Sequence, residues 1–147
     1  MTLTGSGIIS RVACLALAAL AACSGEAGPG GVASPGSSAA GGYTATAFTL
    51  NQGGPEEDLL AQGSAITLNL LTDGTTTGHM FVPGALTGGA DFDEDLDGTW
   101  AQTGDVVRLQ HSADTFLRDI DLVLSGNKLT GQMSDPTFVL SIVFTKN

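Results

Sequence analysis

Cysteine is scarce. The chain has two, Cys14 and Cys23, and Cys14 lies inside an apolar N-terminal stretch. Once that stretch is removed a single thiol remains, so no intramolecular disulfide can form. The fold must then be held by its core. Positive charge is scarce as well: Lys and Arg number 5 against 15 Asp and Glu, a net charge of -10. Such a chain repels phosphate backbones and anionic lipid headgroups, which argues against nucleic-acid binding. One Trp, one Tyr and six Phe must serve a whole core. No apolar run is long enough for a spanning helix: Val12–Ala22 is unbroken but stops well short of the roughly 20 residues a bilayer requires. A phosphate-binding loop, a dinucleotide fingerprint and a G-x-S-x-G elbow are all missing.

What is present begins with an export signal. Arg11 is the sole charge before Glu26, and the short apolar run after it ends in small residues. That order is the architecture of a secretory signal. Leu20-Ala21-Ala22-Cys23 resembles the lipobox of bacterial lipoproteins, whose pattern is Leu, small, small, Cys. The resemblance implies cleavage before Cys23, a thioether-linked diacylglycerol on its sulfur and acylation of its new amine. Two or more acyl chains give stable anchoring, each buried CH₂ adding roughly 0.8 kcal/mol. Ser24 stands where an Asp often retains lipoproteins at the inner membrane, so the resemblance implies the outer membrane. Residues 1–22 are therefore read as signal peptide. Residues 23–42 (Cys23 followed by SGEAGPGGVASPGSSAAGG) are read as lipidated Cys and tether. That composition buries too little apolar surface to offset its ordering entropy, and predicts a disordered spacer with a reach of roughly 25 Å.

From residue 43 to 147 the hydrophobic period becomes two. Eight runs can be read as strands: Tyr43–Leu50, Ser64–Leu71, Thr76–Val82, Gly98–Thr103, Asp105–His111, Phe116–Ser125, Lys128–Met133 and Thr137–Thr145. Asp73-Gly74 and Gly126-Asn127 are hairpin signals, since these residues tolerate positive φ. The last run alternates Phe138, Leu140, Ile142 and Phe144 but carries Val139 and Val143 between them, as a strand covered on both faces would. Between the first two runs, Pro55 is followed by Glu56, Glu57 and Asp58, and Gly63 closes the segment. Proline and acids first and glycine last predict a two-turn helix, with Leu59 and Leu60 packed on the sheet. The fold class expected is all-β: a small antiparallel up-and-down barrel of about eight strands with one short helix, the alternative being a β-sandwich.

That architecture resembles the lipocalin and fatty-acid-binding (calycin) barrels. Gly98-Thr99-Trp100 is similar to the lipocalin G-x-W motif. Lipocalins carry the motif on their first strand, whereas here it stands mid-domain. The resemblance implies a small apolar ligand inside the barrel.

Candidate sites are few. Asp93, Asp95, Asp97 and Gly98 match D-x-D-x-D-G, the opening of an EF-hand-type calcium loop. Such a loop also needs a bidentate Glu at its twelfth position. Gly104 occupies that position, and the alternative is a solvated acidic loop with Phe92 and Leu96 turned inward. His79 and His111 are the only histidines, short of the three or four ligands zinc takes even if Asp114 is added. Ser112, His111 and Asp114 spell a triad by residue type but are too close in sequence for its geometry. Arg108 would hold an anionic ligand if it faced inward with Val106 and Gln110; with Val107 and Leu109 inward it lies on the surface, where charges belong. Trp100 is read as core, plugging one barrel end. These readings lead to a membrane-anchored envelope lipoprotein with a non-catalytic domain. It binds a small apolar ligand in the barrel or, alternatively, serves as an interaction module or a calcium-binding domain. No organic cofactor is implied, calcium is the one candidate cation, and nothing in the sequence sets an oligomeric state.

Overall fold

The computed structural model of the chain describes residues 38–84 and 88–147. The signal segment, Cys23 and the tether to residue 37 lie outside them. None of the helices among the described residues is long and apolar enough to cross a membrane.

Among the described residues ten strands form one antiparallel sheet: β1 (Gly41–Asn51), β2 (Glu57–Asp58), β3 (Ala65–Leu70), β4 (Thr75–Val82), β5 (Phe92–Asp95), β6 (Gly98–Thr103), β7 (Val106–His111), β8 (Leu122–Ser125), β9 (Lys128–Asp135) and β10 (Phe138–Lys146). Each of β1, β3, β4 and β6–β10 pairs with the next, and β10 returns to β1 from Tyr43↔Lys146 to Asn51↔Val139. The sheet is thus a closed up-and-down barrel of eight strands. Closure leaves no long edge exposed. The two short strands extend ladders already begun: β2 continues β3 along β1, and β5 precedes β6 along β4.

Period-two patterning sets which residues face inward. Ile66, Leu68 and Leu70 are buried on β3, Val107, Leu109 and His111 on β7, and Leu122 and Leu124 on β8. Their neighbours Thr67, Asn69, Arg108, Gln110 and Val123 face out. On β1 the parity changes once. Tyr43 and Ala45 point in, a bulge falls between Ala45 and Ala47, and Phe48 is the next buried residue. One extra residue resets the alternation, as bulges do. The Val139 and Val143 positions of β10 are half-buried, in keeping with partial cover on both faces.

The two predicted hairpins are in place. Gly74 N–H donates to Leu71 O at 3.1 Å, while the Asp73 carboxylate accepts from both the amide and the hydroxyl of Thr75. Gly126 adopts φ 61°, the left-handed conformation that the β8–β9 turn requires and that glycine reaches without strain.

Two local expectations are corrected. Residues 53–63 form no helix. Leu59 N–H instead donates to Phe48 O at 2.8 Å, and the Asp58 carboxylate accepts from the amides of Leu60 and Ala61. A side chain that binds its own backbone competes with helix formation, and Leu59 is buried by a tight turn in place of a helix face. A helix, α1 (Phe116–Asp119), occupies the first half of a run expected to be one strand. Leu117 is its buried residue, and Phe116 stacks on Phe48 with centroids 5.5 Å apart and planes 7° from parallel. Covering the barrel end with these two side chains replaces further strand pairing.

The tether boundary also moves. Ala39 is fully buried, its N–H donates to Gln102 Oε1 at 2.9 Å, and its carbonyl accepts from the Tyr43 hydroxyl at 2.7 Å. Gly41 and Gly42 pair with Leu70 and Asn69. Residues 38–42 therefore belong to the folded domain and seal the end of the barrel at which β1 begins. Small residues suit a segment that must lie flat over that opening.

Candidate functional site

The wall of the barrel opens between β7 and β8. Their ladder is two register pairs, Val106↔Val123 and Val107↔Leu122. Beyond it, Arg108–His111 face α1 and the residues that follow it. Leu122 and Leu124 must turn inward, whereas residues 116–119 have coiled into a helix to bury Leu117, so the two segments diverge. The divergence opens a groove of about 730 Å³ on the outer wall, against about 290 and 460 Å³ for other surface hollows.

Charges of both signs line the groove. The Arg108 guanidinium meets Asp121 through Nε–Oδ1 at 2.5 Å and Nη2–Oδ2 at 3.0 Å. Arg118 contacts Asp114 at 2.7 Å and Asp119 at 3.1 Å. Hydrogen bonding to Asp121, then its charge, raises the Arg108 pKa, and the same bond lowers that of Asp121. Both partners are exposed, so solvent screens the attraction. Arg108 thus points outward, the surface alternative, because Val107 and Leu109 take the inward positions.

His111 sits at the inner end of the groove. It is buried, 7% exposed, and shares the inward face of β7. Its Nε2 lies 2.7 Å from Thr115 Oγ1, while among the described residues no partner reaches its buried Nδ1. Burial, with the nearby Arg118 charge, lowers its pKa, Asp119 acting weakly in the opposite sense. The triad spelled by residue type does not assemble. Ser112 is exposed, Asp114 is held by Arg118, and no carboxylate orients His111 Nδ1.

The acidic segment folds as a strand. Phe92–Asp95 pairs with β4, placing Asp93 and Asp95 on either side of His79, at 3.1 Å from Nε2 and 3.3 Å from Nδ1. Carboxylates on opposite edges of one ring do not converge on a point. Leu96 then turns fully inward, its carbonyl accepting from Thr76 Oγ1, and Asp97 lies beyond it on the rim of the seam groove. The three aspartates of the D-x-D-x-D-G motif are therefore not brought together. No cluster of three or more His, Cys, Asp or Glu side chains that could hold a metal occurs among the described residues.

Trp100 is half-buried at the tether end, with its indole N–H donating to Leu71 O at 2.8 Å. The glycine of the G-x-W triplet has a steric reason of its own. A Cβ on Gly98 would stand 2.0 Å from Gln110 O. Sequence reasoning missed the groove itself, because nothing in Phe116–Ser125 marks where strand gives way to helix. The one signal was Arg118, a charge at a position that strand alternation would have turned inward beside Phe116 and Ile120.

Compared with known proteins, the chain matches no family model, no curated protein and no solved structure.

Proposed function

We propose that the chain is an exported envelope lipoprotein, anchored through acylated Cys23, whose barrel is a non-catalytic module that engages a partner on its outer wall. The address rests on the Leu20-Ala21-Ala22-Cys23 lipobox and the signal segment before it. The role of the barrel rests on one observation: its interior is occupied by its own side chains. Tyr43, Leu68, Leu109, Leu122, Leu129 and Phe144 are buried on the inward faces of its strands, and Ala39 and Leu117 lie buried at opposite ends. A carrier of drug-sized apolar ligands wants a cavity of roughly 300 Å³ or more. The hollow of about 730 Å³ lies outside, along the polar seam. A partner offering charges of both signs fits its Arg108–Asp121 and Arg118–Asp119 pairs.

Native mass spectrometry of the mature protein after mild extraction tests the choice. The expected spectrum is that of the lipidated chain alone or with a protein partner. An apolar molecule retained one-to-one, beyond the acyl chains, would make the barrel a ligand carrier. Metabolic labelling with a fatty-acid probe tests the address: Cys23→Ser must abolish the label.

A further inference from the structure

β8 is shorter than both of its neighbours. It runs Leu122–Ser125, whereas β7 runs Val106–His111 and β9 runs Lys128–Asp135. Its ladder to β7 ends at Val107↔Leu122 and its ladder to β9 ends at Val123↔Thr130. Beyond those points both flanking strands continue, each still paired on its far side, β7 with β6 and β9 with β10.

The register fixes which backbone groups border the gap. In an antiparallel ladder alternate residues direct both N–H and C=O toward the same neighbour. Leu124 N–H donates to Asp105 O at 2.7 Å, so the odd-numbered residues of β7 face β8. Lys146 N–H donates to Asn127 O at 2.8 Å, so the odd-numbered residues of β9 face β10 and the even-numbered ones face β8. Leu109 and His111 on one bank, and Gln132 and Ser134 on the other, therefore turn their amides and carbonyls into the gap. Among the described residues no backbone hydrogen bond crosses it. The buried His111 Nδ1, also without a partner among them, belongs to the same bank.

The chain that leads into β8 leaves the wall. It passes on the inward side of β9, where a Cβ on Gly131 would stand 2.6 Å from Ile120 Cδ1 and 3.5 Å from Asp121 O. α1 belongs to the barrel end, with Leu117 buried and Phe116 stacked on Phe48. Outside remain the groove of about 730 Å³ along β7 and a hollow of about 460 Å³ along β9, both lined by Asp121. Neighbouring strands lie about 4.8 Å apart, so two strands that flank a third leave one strand's width where the third stops.

We infer that this gap takes an extended segment of another protein, added as a strand in line with β8 and bonded to β7 and β9 together. The inference deepens the reading of the outer wall as a partner surface and rests on it. Strand addition draws affinity from main-chain hydrogen bonds and specificity from alternate side chains. Inward side chains of the segment meet Leu109 and Met133, which favours apolar ones. Outward side chains meet solvent beside Arg108, Gln110 and Gln132, and the net charge of -10 favours basic ones there. A second copy has no strand to give, because β1, β3, β4 and β6–β10 close its own barrel. The tether carries Pro29, Pro35 and many glycines, a composition that strands disfavour.

The probe is a short synthetic peptide of alternating lysine and valine, added to the full chain in zwitterionic micelles. Amide exchange is read residue by residue by NMR. At saturating peptide, exchange should slow several-fold at Leu109, His111, Gln132 and Ser134. N-methylation of every second peptide amide removes the donors aimed at one bank and should weaken binding about tenfold, the loss of two ordinary hydrogen bonds. Gln132→Pro deletes a donor that no native ladder uses. Its circular dichroism and urea midpoint should stay close to wild type while the protection of β9 is lost, and Ser134→Pro repeats the test at the next position facing the gap. Unfolding of both proline variants would mean that these amides are already bonded, and would overturn the inference. So would binding indifferent to N-methylation, or the absence of protection at the four residues. Peptide that protects other parts of the outer wall would overturn it as well, while leaving the partner reading in place.

Discussion

Arg108 grips both carboxylate oxygens of Asp121 across the seam where β7 and β8 part company. The pair takes the place of backbone ladder. Its fork geometry holds a side chain of β7 to the residue just before β8, with two parallel charge-assisted bonds. Exposed pairs of this kind add little to global stability, so their effect is local. In Asp121→Asn the denaturation midpoint should stay close to wild type, while amide exchange across Phe116–Leu122 accelerates several-fold. Exchange unchanged in that segment would show that α1 is held by Leu117 alone. The sign of the pH effect follows from the lowered Asp121 pKa. Its contribution is present above the ordinary carboxylate value of about 3.9 and is lost as pH falls through the folded value. Between neutrality and pH 5 the pair is silent.

Acid sensitivity in that window belongs to His111. Its folded pKa is depressed by burial, so below the ordinary value of about 6.5 the unfolded chain binds the proton more readily than the folded one. Stability should therefore fall as pH drops from above that value toward the folded one, and level off below it. Urea denaturation at neutral pH and near pH 5 reads the difference. His111→Gln, which keeps a donor for Thr115 without the titration, should remove it. A variant with the same slope as wild type would assign the effect elsewhere.

α1 has four residues and owes its place to packing, since a helix this short does not persist alone. Leu117→Ala should cost about 2–5 kcal/mol in urea unfolding, the range for a fully buried leucine. A double-mutant cycle on Phe48 and Phe116 should give a coupling of about 0.5–1.5 kcal/mol, as expected for stacked rings. Zero coupling would mean that the rings merely share a surface.

Strand content and closure were legible because Ile66-Leu68-Leu70, Val107-Leu109 and Leu122-Leu124 alternate cleanly and because Asp73-Gly74 and Gly126-Asn127 mark their turns. The helix was misplaced for a reason visible in the residues. Pro55 and the acids after it satisfy the rules for a helix start, yet the Asp58 side chain closes a turn on its own backbone and Leu59 donates to β1. Phe116–Asp119 has no side-chain cap and is helical because the barrel end needs Leu117. That requirement is tertiary, as is the seam it opens. The burial of Ala39 was equally hidden, since its neighbours read as linker by composition and its partners, Gln102 and the Tyr43 hydroxyl, meet it only once the barrel has closed.

The Tyr43–Ala39 seal makes two predictions on one residue, the single tyrosine of the chain. Tyr43→Phe deletes the hydrogen bond to Ala39 O and should cost about 0.5–1.5 kcal/mol. Burial also raises the Tyr43 pKa, so the folded chain keeps the phenol neutral to higher pH than the unfolded one. Stability from this source is intact below the ordinary value of about 10 and is lost as pH climbs through the folded value. Phenolate absorbance during an alkaline titration reports Tyr43 alone, and should appear later in native protein than in urea.

Gly98 opens β6 opposite His111, and there is no room there for a side chain. An added Cβ would meet Gln110 O at 2.0 Å and His111 Cα at 2.8 Å, both backbone atoms. Backbone cannot swing aside as a side-chain tip can, so Gly98→Ala must push β6 from β7 at the point where β7 has already lost β8. Overpacking typically costs about 1–3 kcal/mol, and this site belongs at the upper end. The displacement also has a direction. Trp100, two residues along, would be drawn from Leu71 O, and His111 from Thr115. Gly98→Ala should therefore lower the urea midpoint, shift the emission of the lone tryptophan and change the His111 acid response together. A variant that unfolds earlier with Trp100 and His111 untouched would place the strain elsewhere in the wall.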